Sequence, residues 1–236
     1  ETERIVRTLG ELNSLRADLV SGQMWGLTSA GRTPIIGSRL GRGEELPALL
    51  SAYYATFNQH GGPLPNGFSL FEGINDPSIE PLGCISTTPN EALVQSVSAK
   101  PGQPEVIRVF PAWPKKWNAS FRLLTRGAFR VTSSIDAGDV LFVEIESRVG
   151  GLCRLRNPWG KPCRVVEAKG VSRDLAGDIL RFETVVNGFY RVQPSDEKAT
   201  TTARRIAPQA ATKPVTFSYT LSNGRVVGET LGLANE

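Results

Sequence analysis

The order of apolar and polar positions divides the chain into a helical opening of about a hundred residues and a β-rich remainder. In residues 1–18, Ile5, Leu9, Leu12 and Leu15 recur three to four positions apart, which makes one apolar helix stripe, and Gly10 weakens its middle. Residues 21–34 are rich in Gly, Ser and Thr and read as a loop from which Met24 and Trp25 dock into a core. A short apolar stretch, Ile35 to Leu40, leads to a second helix. Glu44 and Glu45 suit its first turn, at the positive end of the helix dipole. Leu46, Leu49, Leu50, Tyr53, Tyr54 and Phe57 give it a broad apolar face, and it stops before Gly61-Gly62-Pro63. A third helix is predicted over residues 88–98, with Thr88 as cap, Pro89 in the first position and Glu91 completing a capping box. Before it, Glu72, Asp76 and Glu80 stand four apart, as on one helix face. Pro77 and Pro81 argue for a loop instead, because each lacks an N–H and disfavours α geometry in the preceding residue.

From residue 100 the helical signals vanish. Short runs rich in β-branched and aromatic residues follow, separated by turn residues. The expected strands are Val106–Phe110, Ser120–Leu124, Phe129–Ser133, Val140–Ser147, Cys153–Arg156, Arg164–Glu167, Ile179–Val185 and Gly188–Val192. Asp136-Ala137-Gly138 and Asn187-Gly188 are hairpin-turn chemistry. Such strands at such spacing predict an antiparallel β-sandwich. Residues 194–214 read as a linker or surface-wrapping stretch. Val215–Leu221 and Arg225–Thr230 read as a last hairpin around Ser222-Asn223-Gly224. The expectation is an α+β chain of several domains: helices over 1–99, a sandwich over 100–193, a linker and hairpin over 194–236. Three helices with long loops cover their apolar faces poorly, so the helical part is expected to complete a larger helical assembly.

Composition narrows the partners. The 236 residues hold 40% hydrophobic and 21% charged residues, an ordinary globular balance with room for a real core. A net charge of +4, from 27 basic and 23 acidic residues without a basic tract, asks for neither nucleic acid nor an anionic membrane. No apolar run reaches membrane-spanning length. The first residue is Glu1, as in a processed chain or part of a longer one. Three cysteines exclude a dense disulfide framework; Cys153 and Cys163 could pair, leaving Cys84 over, and free buried thiols are the plainer reading. One histidine, His60, and scattered cysteines disfavour a His/Cys metal site, and neither a nucleophile elbow nor a cofactor motif is present.

Three stretches carry a family resemblance. SRLGRGEELPALLSAYY (38–54) resembles a helix-opening pattern near the end of the (α/α)6 barrel of glycoside hydrolase family 95, which contains inverting α-L-fucosidases and α-L-galactosidases. IEPLGCISTTPNEALVQS (79–96) aligns without a gap to the family's Ile-Asp-Gly-Asn-Phe-Gly-Gly segment through Ile79, Glu91, Leu93, Gln95 and Ser96. Residues 105–160 look like its closing β-sandwich, with Pro-Ala-Trp-Pro and Ser-x-x-Gly-Gly-x-Cys-x-x-Arg elements. The resemblance implies terminal helices of an (α/α)6 barrel followed by an antiparallel β-sandwich. It implies a substrate of oligo- or polysaccharide bearing α-linked L-fucose or L-galactose, no cofactor, an extracellular or periplasmic place, and an upstream barrel half, in the same precursor or another chain, that supplies the general acid.

Glu80 falls where the family carries the Asp that activates water, and Pro81-Leu82-Gly83-Cys84 replaces the family's Gly-Asn-Phe-Gly. Glu80 is thus the candidate base, with Asp76 and Glu72 as rivals. Its bland alternative is a solvated or capping acid. Asn75 and Asn66 are candidates to hold sugar hydroxyls, or else turn formers. Trp25 is a candidate to stack on a sugar face, or else core. His60, beside Asn58 and near Tyr53 and Tyr54, is a candidate substrate contact. It also supports an alternative, a polysaccharide lyase built from an (α/α) barrel and a β-sandwich. A further alternative is a fragment without chemistry that supports or binds. Trp113, Trp117 and Trp159 read as core or interface residues.

Overall fold

From Ile179 to Thr184 the side chains alternate: Leu180, Phe182 and Thr184 are buried, Arg181 and Glu183 exposed. Burial with period two marks a strand with one face on a core, and it recurs through the second half of the chain. The computed structural model describes residues 33–50, 80–98, 102–168, 170–196, 215–220 and 226–231. The described residues fall in two compact units. One gathers the described parts of 1–40, 45–88 and 209–236; the other gathers 41–44 and the described parts of 89–208.

The second unit holds ten strands: β1 (Val94–Ser98), β2 (Glu105–Val109), β3 (Ala119–Thr125), β4 (Phe129–Asp136), β5 (Asp139–Ser147), β6 (Gly151–Arg156), β7 (Cys163–Glu167), β8 (Ser172–Leu175), β9 (Ile179–Thr184) and β10 (Gly188–Pro194). They form a four-stranded sheet, order β1-β2-β6-β9, and a six-stranded sheet, order β3-β4-β5-β10-β7-β8. One apolar cluster joins the inner faces of both: Ile107, Leu155, Leu180 and Phe182 from the first, Val131, Ile145, Val165 and Val192 from the second. This is a β-sandwich, and full burial of each such side chain stabilises it by roughly 1.5–3 kcal/mol. The Asp136–Asp139 hairpin closes with Ala137 and Gly138 both left-handed (φ 50° and 90°), the backbone of a type I′ turn.

In the first unit, α1 (Thr33–Arg39) and the helical residues 46–50 approach closely: a Cβ on Gly37 would stand 2.8 Å from Leu49 Cδ1. Ser38 is buried and donates to the Pro34 carbonyl at 3.0 Å. Strands β11 (Val215–Thr220) and β12 (Val226–Leu231) pair antiparallel, as expected of the last hairpin. Helix α2 (Glu80–Leu93) leads directly into β1.

Two expectations are corrected. The (α/α)6-barrel reading is overturned, because the described chain is mostly sheet and its helices are short, 7 residues in α1 and 14 in α2. The third helix also lies elsewhere. Pro81 sits in the first turn of α2, where its missing N–H is not needed, so it opens the helix rather than forbidding it. Thr88 is buried inside α2 rather than capping it, and Pro89 is interior. Val94–Ser98 leaves the helix because its backbone pairs with β2, from Val94↔Val109 to Ser98↔Glu105. The expected sandwich fits with one exception to antiparallel order, the parallel β2–β6 pair at Ile107↔Leu155. Between those strands the chain crosses to the other sheet for β3–β5, so it returns in the direction of β2.

The first predicted helix, the 21–32 loop, residues 51–79, the 197–214 stretch and the 221–225 turn lie outside the described residues.

Candidate functional site

Strand pairing sorts the charges of the six-stranded sheet. On its outer face Arg130 stands opposite Glu146, Thr132 opposite Glu144, and Glu144 opposite Arg191. Arg122 Nη2 donates to Glu146 Oε1 at 2.7 Å, and Arg130 Nη2 donates to the other carboxylate oxygen. Arg191 Nη2 donates to Glu144 Oε1 at 2.8 Å, and its guanidinium lies 5.1 Å from the centre of the Phe142 ring. Farther along, Arg164 Nε donates to Asp174 Oδ1 at 3.0 Å.

Glu144 and Glu146 are the described acids that invite a catalytic test. Two apart on one strand, their Cα atoms stand about 6.7 Å apart, near the carboxyl separation of about 6.5–9.5 Å that an inverting glycosidase uses. Chemistry excludes them. The Arg130 hydrogen bond, helped by Arg122, holds the Glu146 carboxyl below the usual carboxylate range despite its partial burial. A general acid must carry a proton near working pH, and the two guanidinium donors on Glu146 disfavour one there. Glu144 is committed to the nearly buried Arg191. Among the described residues no three His, Cys, Asp or Glu side chains converge as metal ligands.

The motif residues of the sandwich have structural duties. Gly150 and Gly151 both adopt positive φ (79° and 101°), and a Cβ on Gly150 would come within 3.3 Å of the Thr184 carbonyl oxygen. Cys153 is buried behind them in the core. Asn157 Nδ2 donates to the carbonyls of Lys161 (2.9 Å) and Gly177 (3.0 Å), while its Oδ1 accepts from Trp159 N (3.1 Å) and Gly160 N (3.2 Å). The indole N–H of Trp159 donates to the Val140 carbonyl at 2.6 Å. Trp113 donates to the Trp117 carbonyl at 2.8 Å and meets that ring edge-on, centroids 5.5 Å apart. Cys153 and Cys163 are free and buried, and burial raises both thiol pKa values.

Of the predicted site residues, only Glu80 is described, and only in its backbone: it is the first residue of α2. Asp76, Asn75, Asn66, His60, Trp25 and the rival Glu72 lie outside the described residues. The Arg122–Glu146–Arg130 and Glu144–Arg191 groups escaped sequence reasoning. The signal that marks them is alternating charge on strands that the sequence already predicts.

No protein-family model matches the chain, and no curated protein matches it.

Proposed function

We propose that the chain is part of a glycoside hydrolase acting on α-linked L-fucose or L-galactose-type residues by inversion, and that its β-sandwich is a supporting module. The observation that carries the sandwich half of this reading is how the motif residues are used. The elements that resemble the family-95 sandwich fall where the backbone or core demands them: Gly150 and Gly151 at positive φ, Cys153 in the core, Trp113 bonded into its own loop. Those duties are structural, so they support a shared sandwich, and the hydrolase reading itself rests on the resemblance over residues 79–96. The zipped carboxylates Glu144 and Glu146 support the second half of the proposal, since arginines hold both of them.

Chemistry then falls to Glu80 as the base that activates water, with Asp76 as its rival. A positioned general base is worth roughly 10²–10⁴-fold. In the complete native protein, Glu80→Gln should lower the hydrolysis of an aryl α-L-fucoside or α-L-galactoside by that much. The first sugar released should be the β-anomer by NMR. A loss below about tenfold would remove Glu80 from the role, and a first-formed α-anomer would remove inversion.

A further inference from the structure

The two outer faces of the sandwich handle charge in opposite ways. On the six-stranded sheet each central arginine faces a carboxylate. On the four-stranded sheet the ladder sets Arg154 directly opposite Arg181. Arg156 lies two residues along β6 on the same face. The parallel register Ile107↔Leu155 brings Arg108 of β2 beside it. Like charges directly opposite on one face destabilise a sheet, and little here offsets them. Arg154 and Arg108 have no hydrogen-bond or ion-pair partner among the described residues. Arg181 Nη1 reaches only the Ile179 carbonyl, at 3.3 Å. Arg156 meets Asp178 loosely, at 3.6 Å, and Asp178 is 86% exposed. Glu183, opposite Leu152, is the other acid on this face, and it makes no ion pair with these arginines.

We infer that this face binds an acidic polysaccharide through its carboxylate or sulfate groups. Guanidinium forks match both groups in bidentate geometry and lose little hydration in doing so. Cross-strand spacing of about 5 Å and same-strand spacing of about 6.7 Å array the four heads for a row of anions rather than a single one. The outer-facing residues of this sheet, Leu152 and Ile179 among them, include no aromatic ring, so the face lacks the stacking platform of a single-strand nucleic-acid site. The choice of glycan over other polyanions rests on the hydrolase reading above, and it names the substrate class as acidic.

Electrophoresis of the complete native protein through gels cast with polygalacturonate, dextran sulfate or neutral dextran tests this. The two acidic polymers should retard the protein, less so as salt rises, and neutral dextran should not. Arg154→Gln/Arg181→Gln should weaken the retardation constant at least about tenfold, with a Tm equal to or above that of the parent because the like-charge pair is relieved. Arg122→Gln, on the other sheet, should bind as the parent does. Equal binding by the double variant, equal retardation by neutral dextran, or tighter binding to duplex DNA than to either acidic polymer would each overturn the assignment. Retardation without fucosidase or galactosidase activity would sink the hydrolase reading, and with it the choice of a glycan, and leave the face as an anion-binding surface; activity without retardation would sink the face and leave the hydrolase reading.

Discussion

Cys153 and Cys163 sit in the core on opposite sheets, the Cys163 thiol donating to the Lys161 carbonyl at 3.2 Å, and burial disfavours the charged form of both. It raises the Cys153 thiol from 9.0 to about 12 and the Cys163 thiol to about 11. In the unfolded chain both titrate near their ordinary value. Their contribution to stability is therefore complete below about pH 9 and is lost as pH rises from there toward the folded values. For Cys153 the loss is about 1.4 kcal/mol per pH unit in that window. Urea midpoints between pH 8 and 10.5 should fall more steeply for the parent than for Cys153→Val, and parallel slopes would contradict the burial argument. In a Cys84→Ser background, neither thiol should react with a disulfide reagent at pH 8 until denaturant is added. Cysteine spacing left pairing open, because it says nothing of which sheet each residue joins.

At the level of strands, the Glu144–Arg191 pair shows what was legible and what was not. The strands that hold it were readable: apolar alternation bounded by Asp136-Ala137-Gly138 and Asn187-Gly188 marks β5 and β10 almost to the residue. Strand β8 (Ser172–Leu175) escaped because its polar edge sequence has no alternation to read. Strand β1 escaped because Leu93, Val94 and Val97 also fit a helix period; pairing with β2 decides against it. The charge pairs escaped for a different reason: their partners lie 24 and 47 residues apart, and only the register brings them together. With side chains 10% and 18% exposed, the pair is desolvated enough that losing one member strands the other. Glu144→Gln should cost about 3 kcal/mol in chemical denaturation. Glu144→Leu combined with Arg191→Met should cost less, because no charge is left unpaired and Phe142 keeps an apolar neighbour. If the double substitution is the worse of the two, the pair is net stabilising and the desolvation argument fails.

For the molecule as a whole, sheet order sets which part opens last. β5 lies between β4 and β10, and Val143 and Ile145 are fully excluded from solvent. β4 and β10 are themselves interior, with Val131 and Val192 equally buried. β8 sits at an edge, with Ser172, Arg173 and Asp174 exposed. An amide that is paired on both sides and covered by core exchanges only when the whole sandwich opens, whereas an edge strand frays locally at far smaller cost. Hydrogen exchange followed by mass spectrometry should find β4, β5 and β10 the slowest segments, with one shared rate set by global unfolding, and β8 faster by orders of magnitude. The test also bears on function. The arginines of the four-stranded sheet stand on β2, β6 and β9, and β2 and β6 are interior strands of that sheet. If β6 exchanges with the β5 group, the guanidinium array rides on the rigid core, and binding an extended anion costs little ordering. If β6 exchanges as fast as β8, the array is not preorganised, and the affinity inferred for it loses its physical basis.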